Sequence, residues 1–412
     1  MNFLIVSYYA QPCNSVATLR INAIIDKILS DKNKVTVISR NWKGNENTWQ
    51  SYLSDEEAYK INYSDNIKYI YLPYKKYKYN TIGFIRKIKW IINALKGVFS
   101  IETNTLQFYE YIKTNFSKNE FDYIITSSPP LNIVKLGFKL KKYFINSKWI
   151  VDFRDLQNHV LLQSNIRLTF KTQFEQILIK WHLKKWLRKS EFCLVANKEF
   201  SIFLNAINCK TEIVLNGFNC NNFNDLPKID STIFQITLLG TIYNEQNINL
   251  LLQIINKFYE QNKDEIIKIN FIGTGAIHQV KEKIEKIILP KFIITDRISY
   301  TDALNIGSKS AVLIYAGWKG YKGVYSKKIF DYIGLKRHIL IAPNDNDVIE
   351  EIIYTIGYGK ITDSVDVGVA YLSDLYKLWK IKDERIYPNV ETAVYNKYSI
   401  NVQLDKLLDR LK

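Results

Sequence analysis

The sequence is poor in cysteine, the residue that cross-links many small or extracellular proteins. It has four cysteines in 412 residues, and Cys13, Cys193, Cys209 and Cys220 lie far apart, without the CxxC or Cys/His spacing of zinc ligands. This pattern favours reduced thiols in a cytosolic compartment over a disulfide framework or a structural zinc site. Eight prolines, sixteen glycines and no low-complexity tract favour compact, regular structure over disorder.

Long apolar runs are also missing. No stretch reaches the roughly 18 consecutive apolar residues that a membrane-spanning helix needs. The first residues, MNFLIVSYYAQP, have no basic region ahead of their apolar run, and that run is too short for a signal peptide. We therefore expect a cytoplasmic chain without a spanning helix.

Several motifs of known chemistry are absent. There is no GxGxxG fingerprint for a dinucleotide and no nucleic-acid-binding motif. The nearest approach to a DxD-type metal pair is NDND at Asn344–Asp347, which is more typical of a turn followed by a helix cap. We expect no obligatory metal or cofactor and no nucleic-acid partner.

Positive charge is in excess. The chain has 57 basic and 40 acidic residues, a formal net charge of +17, which suits a nucleotide, a nucleic acid or an anionic membrane. Because lysine is frequent throughout, solvated surface explains much of this charge equally well. The hydrophobic fraction of 47% is enough for proper cores, and the length suits two domains of about 200 residues each.

Both halves of the chain alternate buried-strand and helix patterns. The first half opens with strand Asn2–Ser7, a helix up to Leu29 and strand Lys34–Ser39, and the second half restarts at strand Phe234–Leu239. Such βαβ units form parallel sheets, and ligands bind open α/β sheets at the carboxyl ends of the strands. The loops that follow these strands are therefore the predicted ligand-binding positions.

One stretch organises the rest, Gly323–Leu340 (GVYSKKIFDYIGLKRHIL). Its apolar spacing predicts a helix with Ser326 at the N-cap, preceded by the glycine-punctuated loop AGWKGYKG. Amide donors, the Ser326 hydroxyl and the Lys327 ammonium at a helix start suit a diphosphate, and Asp331 could accept hydrogen bonds from ribose hydroxyls. An ordinary capped helix is the alternative.

This stretch resembles the donor-binding helix of retaining glycosyltransferases of family 4, which reads P-S-K-L-F-E-Y-L-A-A-G-K-P-V-L in one branch. Tyr325 replaces the proline, Asp331 replaces the second glutamate of the family, and Lys336–His338 replace small residues. The position of the first glutamate is Gly323, so the usual carboxylate pair is incomplete.

The first half of the chain carries further likeness. The opening loop has the pattern I-V-S-Y-Y-x-x-P-x-x-N-S-x-A-x-x-R, a later strand ends in SSPP, and another ends in DFRD, similar to the family's F-D-x-R-D-L-W. The resemblance implies that Asp155 orients or deprotonates the acceptor hydroxyl and that Arg154 supports it or meets phosphate. For Arg20 a surface helix position is the alternative, and for Arg154 and Asp155 it is a structural pair. The implied residues facing acceptor or sugar are Asn14, Ser15, Arg20, Ser128 and His159.

The second half supplies the implied donor site. Gly240 and Thr241 follow strand Phe234–Leu239 as in the family's Y-x-G-T pattern, and a glycine there lets the backbone approach a diphosphate. The family packs the nucleobase against the loop that corresponds to Arg297–Tyr300, largely through main chain. The implied donor-binding residues are Gly240, Thr241, Arg297, Ile298, Tyr325, Ser326, Lys327 and Asp331, with Lys327 also counted as catalytic.

The resemblance implies the GT-B fold, an α/β architecture of two Rossmann-like, doubly wound domains that face a central cleft. We expect an acceptor domain over residues 1–218, a linker over 219–232, a donor domain over 233–385 and a helix over 386–412 that crosses back to the first domain. The implied reaction moves a hexose or N-acetylhexosamine, with retention, from a nucleotide-sugar (UDP-sugar favoured) to a glycan or lipid-linked acceptor in bacterial capsule, O-antigen or exopolysaccharide synthesis. A sugar-nucleotide epimerase of the same fold and a non-catalytic basic binding protein are the alternatives.

A predicted helix over Ile82–Phe99 combines an apolar stripe with basic residues and Trp90. Such a helix can lie on an anionic bilayer, here the inner face of the bacterial plasma membrane. A helix packed on a sheet shows a stripe of the same width, so both readings stay open.

Overall fold

The computed structural model of the chain describes residues 1–13, 15–42, 60–73, 84–99, 105–155, 170–288 and 291–411. Two compact units divide these residues. The first contains the chain up to Leu215 together with the residues from Leu404 onward, and the second runs from Asn216 to Gln403.

The first unit is built on an eight-stranded sheet with the order β3-β4-β2-β1-β5-β6-β7-β8. Neighbouring strands are parallel, except that β3 runs antiparallel to β4. The strands are β1 (Asn2–Ser7), β2 (Lys34–Arg40), β3 (Lys60–Ser64), β4 (Ile67–Leu72), β5 (Tyr123–Ser128), β6 (Lys148–Phe153), β7 (Phe192–Val195) and β8 (Thr211–Ile213).

Six helices of the first unit lie between these strands in the chain. They are α1 (Val16–Ser30), α2 (Phe84–Leu95), α3 (Leu106–Asn115), α4 (Asn132–Tyr143), α5 (Phe170–Leu187) and α6 (Lys198–Asn205). Successive side chains of a strand point to opposite faces, and Phe3, Leu4, Ile5 and Val6 of β1 are all fully buried. The centre of the sheet is therefore covered on both faces, which explains why β1 contains a continuous apolar run.

The second unit has a six-stranded, all-parallel sheet with the order β11-β10-β9-β12-β13-β14. Its strands are β9 (Phe234–Leu239), β10 (Ile267–Ile272), β11 (Phe292–Ile294), β12 (Val312–Tyr315), β13 (His338–Ile341) and β14 (Lys360–Ile361). The centre of the order, β9 beside β12, is where the chain direction of the crossovers reverses. Ligands of open α/β sheets bind at this kind of switch point.

Helices connect the strands of the second unit, and short helices follow. They are α7 (Asn249–Asn262), α8 (His278–Ile287), α9 (Tyr300–Ser308), α10 (Lys327–Leu335), α11 (Val348–Ile356), α12 (Val365–Lys380), α13 (Thr392–Lys397) and α14 (Ile400–Gln403). The last helix, α15 (Asp405–Leu411), belongs to the first unit. Two hydrogen bonds attach it there: Lys406 Nζ donates to the Ile213 carbonyl at 2.8 Å, and Tyr123 Oη donates to the Leu411 carbonyl at 3.0 Å.

The predicted α/β architecture of two Rossmann-like, doubly wound domains is confirmed. The predicted strands Asn2–Ser7 and Phe234–Leu239 have the bounds that the structure shows, and the helix expected over 82–99 spans Phe84–Leu95. In the part of the chain that the structure describes, no helix is both long enough and apolar enough to cross a bilayer.

Candidate functional site

Two glycine loops meet at the carboxyl edge of the second sheet. Gly240 follows β9 with φ +84° and Gly273 follows β10 with φ +79°, a backbone region that favours glycine. A Cβ on Gly273 would lie 3.3 Å from Gly240 Cα. Thr274 Oγ1 donates to the Gly240 carbonyl at 3.2 Å, and Thr241 Oγ1 donates to the Gly273 carbonyl at 3.3 Å. The loops thus hold each other in a fixed, tightly packed geometry.

Helix α10 begins beside these loops. Its N-cap is Ser326, as predicted, and Ser326 Oγ accepts a hydrogen bond from the Lys328 amide at 3.4 Å. Tyr332 Oη accepts from the Leu239 amide at 2.9 Å and donates to the Ile314 carbonyl at 3.0 Å. These two bonds tie α10 to the ends of β9 and β12, so the positive end of its dipole is fixed at this edge.

Lys328 is the lysine that the structure brings to Gly240. A Cβ on Gly240 would lie 2.9 Å from Lys328 Cε, and Lys328 Nζ donates to the Thr241 carbonyl. Protein atoms surround the side chain, although the residue keeps some exposure, and this desolvation lowers the pKa of Lys328 to about 7. Among the described residues no carboxylate forms an ion pair with it. A poorly solvated ammonium without an acidic partner is a favourable place for an anion.

Lys327 faces another partner. Its Nζ donates to Asp331 Oδ1, one helical turn away, and lies 5.7 Å from the centre of the Tyr300 ring. Tyr300 Oη donates to the same oxygen at 2.7 Å. Burial raises the pKa of Asp331, and Lys327 and Tyr300 oppose that rise. The diphosphate role of Lys327 and the ribose role of Asp331 stay predictions, since the polar contacts of both side chains are with each other and with Tyr300.

A carboxylate from later in the chain contacts the glycine-rich loop before α10, and this contact was not predicted from the sequence. The Gly323 amide, at a residue with φ +69°, donates to Asp347 Oδ2 at 2.5 Å. Tyr325 stacks on Phe330 with ring centres 6.3 Å apart and an angle of 9° between the planes. Where the family resemblance expects a glutamate at position 323, an acid from a later loop therefore contacts the backbone.

The NDND sequence serves as a turn and a cap, as predicted. Asp345 accepts hydrogen bonds from the amides of Ile349 at 3.0 Å and Glu350 at 3.1 Å, at the start of α11. In the described ranges no group of three or more His, Cys, Asp or Glu side chains is arranged to hold a metal ion.

The predicted nucleobase loop, Arg297 and Ile298, lies between β11 and α9. Ser299 caps α9 by accepting a hydrogen bond from the Asp302 amide at 3.1 Å. Through the next residue, Tyr300, this loop is linked to Asp331 of α10. The loop and the start of α10 are therefore parts of one arrangement within the second unit.

Aromatic side chains follow two strands at the same edge. Tyr243, after β9, lies 5.8 Å from Trp318, after β12, and Trp318 lies 5.3 Å from Tyr321. Aromatic faces of this kind can pack against sugar or base rings. The two members in AGWKGYKG were visible in the sequence, but their pairing with Tyr243 depends on the sheet order.

In the first unit, the predicted acceptor residues follow neighbouring strands β5 and β6. The Arg154 amide donates to the Ser128 carbonyl at 3.1 Å, and Asp155 comes next, half-buried. Ser128 Oγ and Arg154 Nε are buried and have no hydrogen-bond partner among the described residues. Buried polar atoms are nearly always paired, so two orphans on adjacent strand ends mark this edge as a candidate for binding a polar ligand.

Arg20 is a buried structural residue. Its Nε donates to Asp152 Oδ1 at 2.9 Å and its Nη1 donates to the Val214 carbonyl at 2.8 Å. Ser127 Oγ donates to the other oxygen of Asp152, also at 2.9 Å. The surface position considered for Arg20 is wrong, because only 3% of the residue is exposed. Its predicted sugar-facing role stays a prediction.

The remaining predicted residues are in part outside the described ranges. Ser15 is the N-cap of α1 and accepts a hydrogen bond from the Thr18 amide at 3.2 Å. Asn14 and His159 lie outside the residues that the structure describes.

Lys328 and Asp347 contact the loops of the candidate site and were not predicted from the sequence. The spacing of four between Lys327 and Asp331 is the spacing of a helical ion pair, and this signal could have assigned Lys327 to Asp331 and left Lys328 for the loop. The contact between Asp347 and Gly323 had no local signal, since 24 residues separate them.

No protein-family model matches the chain, and no curated protein matches it significantly in sequence. Solved structures resemble it over nearly the full length of both chains. A sucrose-phosphate synthase from Thermosynechococcus elongatus has a TM-score of 0.63 at 9% identity, covering 100% of this chain and 99% of that one. A glycosyltransferase from Rickettsia africae has 0.59 at 16% identity, covering 100% and 98%. An Escherichia coli structure described as trehalose-6-phosphate bound with UDP-2-fluoro glucose has 0.62 at 10% identity, covering 100% and 99%. The chain thus has the fold of these proteins, the GT-B fold.

Proposed function

We propose that the chain is a glycosyltransferase that takes a sugar from a nucleoside-diphosphate donor, in preference a UDP-sugar. One observation carries the proposal: at the switch point of the second sheet, the Lys328 side chain lies against Gly240 at the start of α10, with no acidic partner among the described residues. The fold supports it, and so does the UDP-sugar analogue in the Escherichia coli structure of that fold.

The geometry suits stabilisation of a leaving diphosphate. As the bond between the sugar and the phosphate oxygen breaks, negative charge grows on the diphosphate. Lys328, the amides at the start of α10 and the backbone of the Gly240 loop are fixed in place before this happens, so little reorganisation is needed. Removing one such preorganised donor from an enzyme typically costs about 3 kcal/mol in the barrier.

We assign the acceptor to the first unit. Asp155 would orient the acceptor hydroxyl, while Ser128 Oγ and Arg154 Nε, which lack partners among the described residues, would bind further acceptor oxygens. Retention is proposed because trehalose-6-phosphate synthase, which has this fold, is described as transferring its sugar with retention. The acceptor we favour is a glycan or lipid-linked hydroxyl, the sugar a hexose or N-acetylhexosamine, and the role bacterial surface-polysaccharide synthesis without an obligatory metal.

The test is incubation of the full chain with a panel of nucleoside-diphosphate sugars, followed by chromatography of nucleotides and sugars. We expect slow release of UDP from one donor, faster with an acceptor and unchanged by EDTA. Exchange of one nucleotide-sugar epimer for another, without release of UDP, would favour the epimerase alternative. Binding of no nucleotide at millimolar concentration would refute the proposal.

A matched pair of variants localises the donor. Lys328→Met removes the ammonium at Gly240, whereas Lys291→Met removes an exposed lysine of the same unit that pairs with Glu265 at 3.3 Å. UDP affinity, measured by calorimetry, should fall at least tenfold in the first variant and stay unchanged in the second. Equal affinities would remove Lys328 from the site.

A further inference from the structure

Helix α2 presents an apolar strip to solvent. Four side chains at helical positions i, i+3, i+4 and i+7 are between 40% and 54% exposed: Ile88, Ile91, Ile92 and Leu95. The other side of α2 packs on α5, where His182 Nε2 lies 3.1 Å from the Ala94 carbonyl and Trp90 lies 6.4 Å from Phe174. The strip is therefore the free side of a helix that is fixed in the fold.

Helix α5 adds apolar surface of its own. Ile177 and Trp181, one turn apart, are 66% and 55% exposed. Lys185 Nζ lies 5.4 Å from the centre of the Trp181 ring, so a cation accompanies the largest exposed side chain. A tryptophan flanked by lysines is typical of the boundary between lipid headgroups and acyl chains.

Positive charge surrounds these strips. Helices α2, α4 and α5 contain eleven Lys and Arg residues and one acidic residue, Glu175. Lys135 Nζ donates to the Lys96 carbonyl at 2.6 Å. Burial lowers the pKa of Lys135, and the nearby charges of Lys139 and Lys96 lower it further. Lys96, Lys135 and Lys139 therefore form a basic cluster, and among the described residues none of the three forms an ion pair with a carboxylate.

A cavity lies beside this lysine cluster. Its volume is about 180 Å³, and Lys135 and Lys139 line it together with Val98, Leu106 and Tyr109. Lys139 Nζ lies 5.3 Å from the centre of the Tyr109 ring. A cavity lined by apolar side chains and two lysines suits a phosphate that is attached to an apolar chain.

We propose that the lipid face, defined as the exposed side of α2, α4 and α5 in the first unit, docks on an anionic lipid bilayer. The strip Ile88–Leu95 enters the boundary between headgroups and acyl chains, and Lys96, Lys135 and Lys139 contact lipid phosphates. A second copy of this chain is a poor occupant, because it would set a second array of positive charges against the first. This docking is independent of the proposed transfer reaction.

The test is sedimentation of the full chain with vesicles. Vesicles of phosphatidylglycerol and phosphatidylcholine in equal amounts are compared with vesicles of phosphatidylcholine alone, at 50 and 500 mM salt. We expect binding to the anionic vesicles at low salt, at least tenfold weaker binding at high salt, and little binding to the neutral ones.

Two pairs of variants separate the two components of the face. Ile92→Glu should weaken vesicle binding more than tenfold, whereas Ile202→Glu, on α6 and 53% exposed, should not. Lys135→Gln with Lys139→Gln should weaken it roughly fivefold for each charge. The matched control is Lys360→Gln with Lys382→Gln, two exposed lysines of the second unit.

Thermal unfolding and circular dichroism of each variant show whether the fold is kept. Binding that is equal for neutral and anionic vesicles, or equal for Ile92→Glu and Ile202→Glu, would overturn the proposal. It would also be overturned if the wild-type chain bound no vesicles but formed a dimer that Ile92→Glu dissociates, since the occupant would then be a second copy.

Discussion

Replacing Lys328 by methionine should make the protein more stable and its nucleotide site weaker. Methionine fills similar space but carries no charge, so it removes the cost of keeping an ammonium among protein atoms beside Gly240. The same ammonium is what we propose to bind the diphosphate. A structural lysine predicts the opposite result for stability, because its loss would remove a favourable contact.

The magnitude follows from the two protonation equilibria. The pKa of Lys328 falls from 10.5 to about 7 on folding, so between these values the unfolded chain holds more protons and the free energy of unfolding rises with pH. At about 1.4 kcal/mol per pH unit, this corresponds to a cost of about 4 kcal/mol at pH 7, which falls to about 1 kcal/mol at pH 10 and vanishes above the unfolded pKa of 10.5. The residue keeps some exposure, and methionine leaves the Thr241 carbonyl without its donor, so we expect a gain of about 1–3 kcal/mol.

The measurement is urea unfolding of wild type and Lys328→Met at pH 7 and pH 10, with UDP affinity by calorimetry at pH 7. The variant should be more stable than wild type at pH 7, should differ from it by no more than about 1 kcal/mol at pH 10, and should bind UDP at least tenfold more weakly. Lys291→Met controls for the loss of one positive charge from the same unit. A variant that is less stable at pH 7 and binds UDP normally would refute both the desolvation of Lys328 and its role.

Three further results are expected. Binding of UDP at pH 8 should take up protons, because the diphosphate raises the pKa of Lys328 from about 7. The enthalpy of binding should therefore differ between Tris and phosphate buffers, and UDP affinity should fall from pH 7 to pH 9. An identical enthalpy in both buffers would contradict this proton uptake. Lys327→Met should lower the free energy of unfolding by about 2–3 kcal/mol, because it leaves the buried Asp331 carboxylate without its cation. A midpoint of thermal unfolding that stays within about 1 °C of wild type would argue against a stabilising ion pair between Lys327 and Asp331. Gly240→Ala should weaken UDP binding, since φ is +84° there and the new Cβ would lie 2.9 Å from Lys328 Cε; full affinity would show that the lysine can move away freely.

The fold could be predicted well because its signals are local. Buried parallel strands such as Phe192–Val195 (FCLV) are continuous apolar runs, and the start of α10 carries its own cap in Ser326. Elements with weaker local signals were not predicted. The antiparallel edge strand β3 (KINYS) and the two-residue β14 have little apolar content, and α12 includes Gly368, whose missing side chain lets it pack on Ile254.

The sequence predicted the helix and the glycine loop that the structure brings together, but it did not predict that Lys328, rather than Lys327, lies against Gly240. Two adjacent lysines at a helix start point about 100° apart, and which one meets the Gly240 loop depends on how α10 is rotated. Tyr332 sets that rotation through its bonds to Leu239 and Ile314, which lie 93 and 18 residues away in the chain. Long-range contacts of this kind leave no pattern in a short stretch of sequence.

The first unit is discontinuous, since it needs α15, which follows the whole of Asn216–Gln403. On a ribosome that adds about 5–20 residues per second, the sheet edge at Glu212 and Ile213 waits roughly 10–40 s for Lys406 and Arg410 to arrive. During that interval the second unit can fold while the first is still unfinished. Synthesis therefore supplies every residue of the second unit before it supplies the last helix of the first.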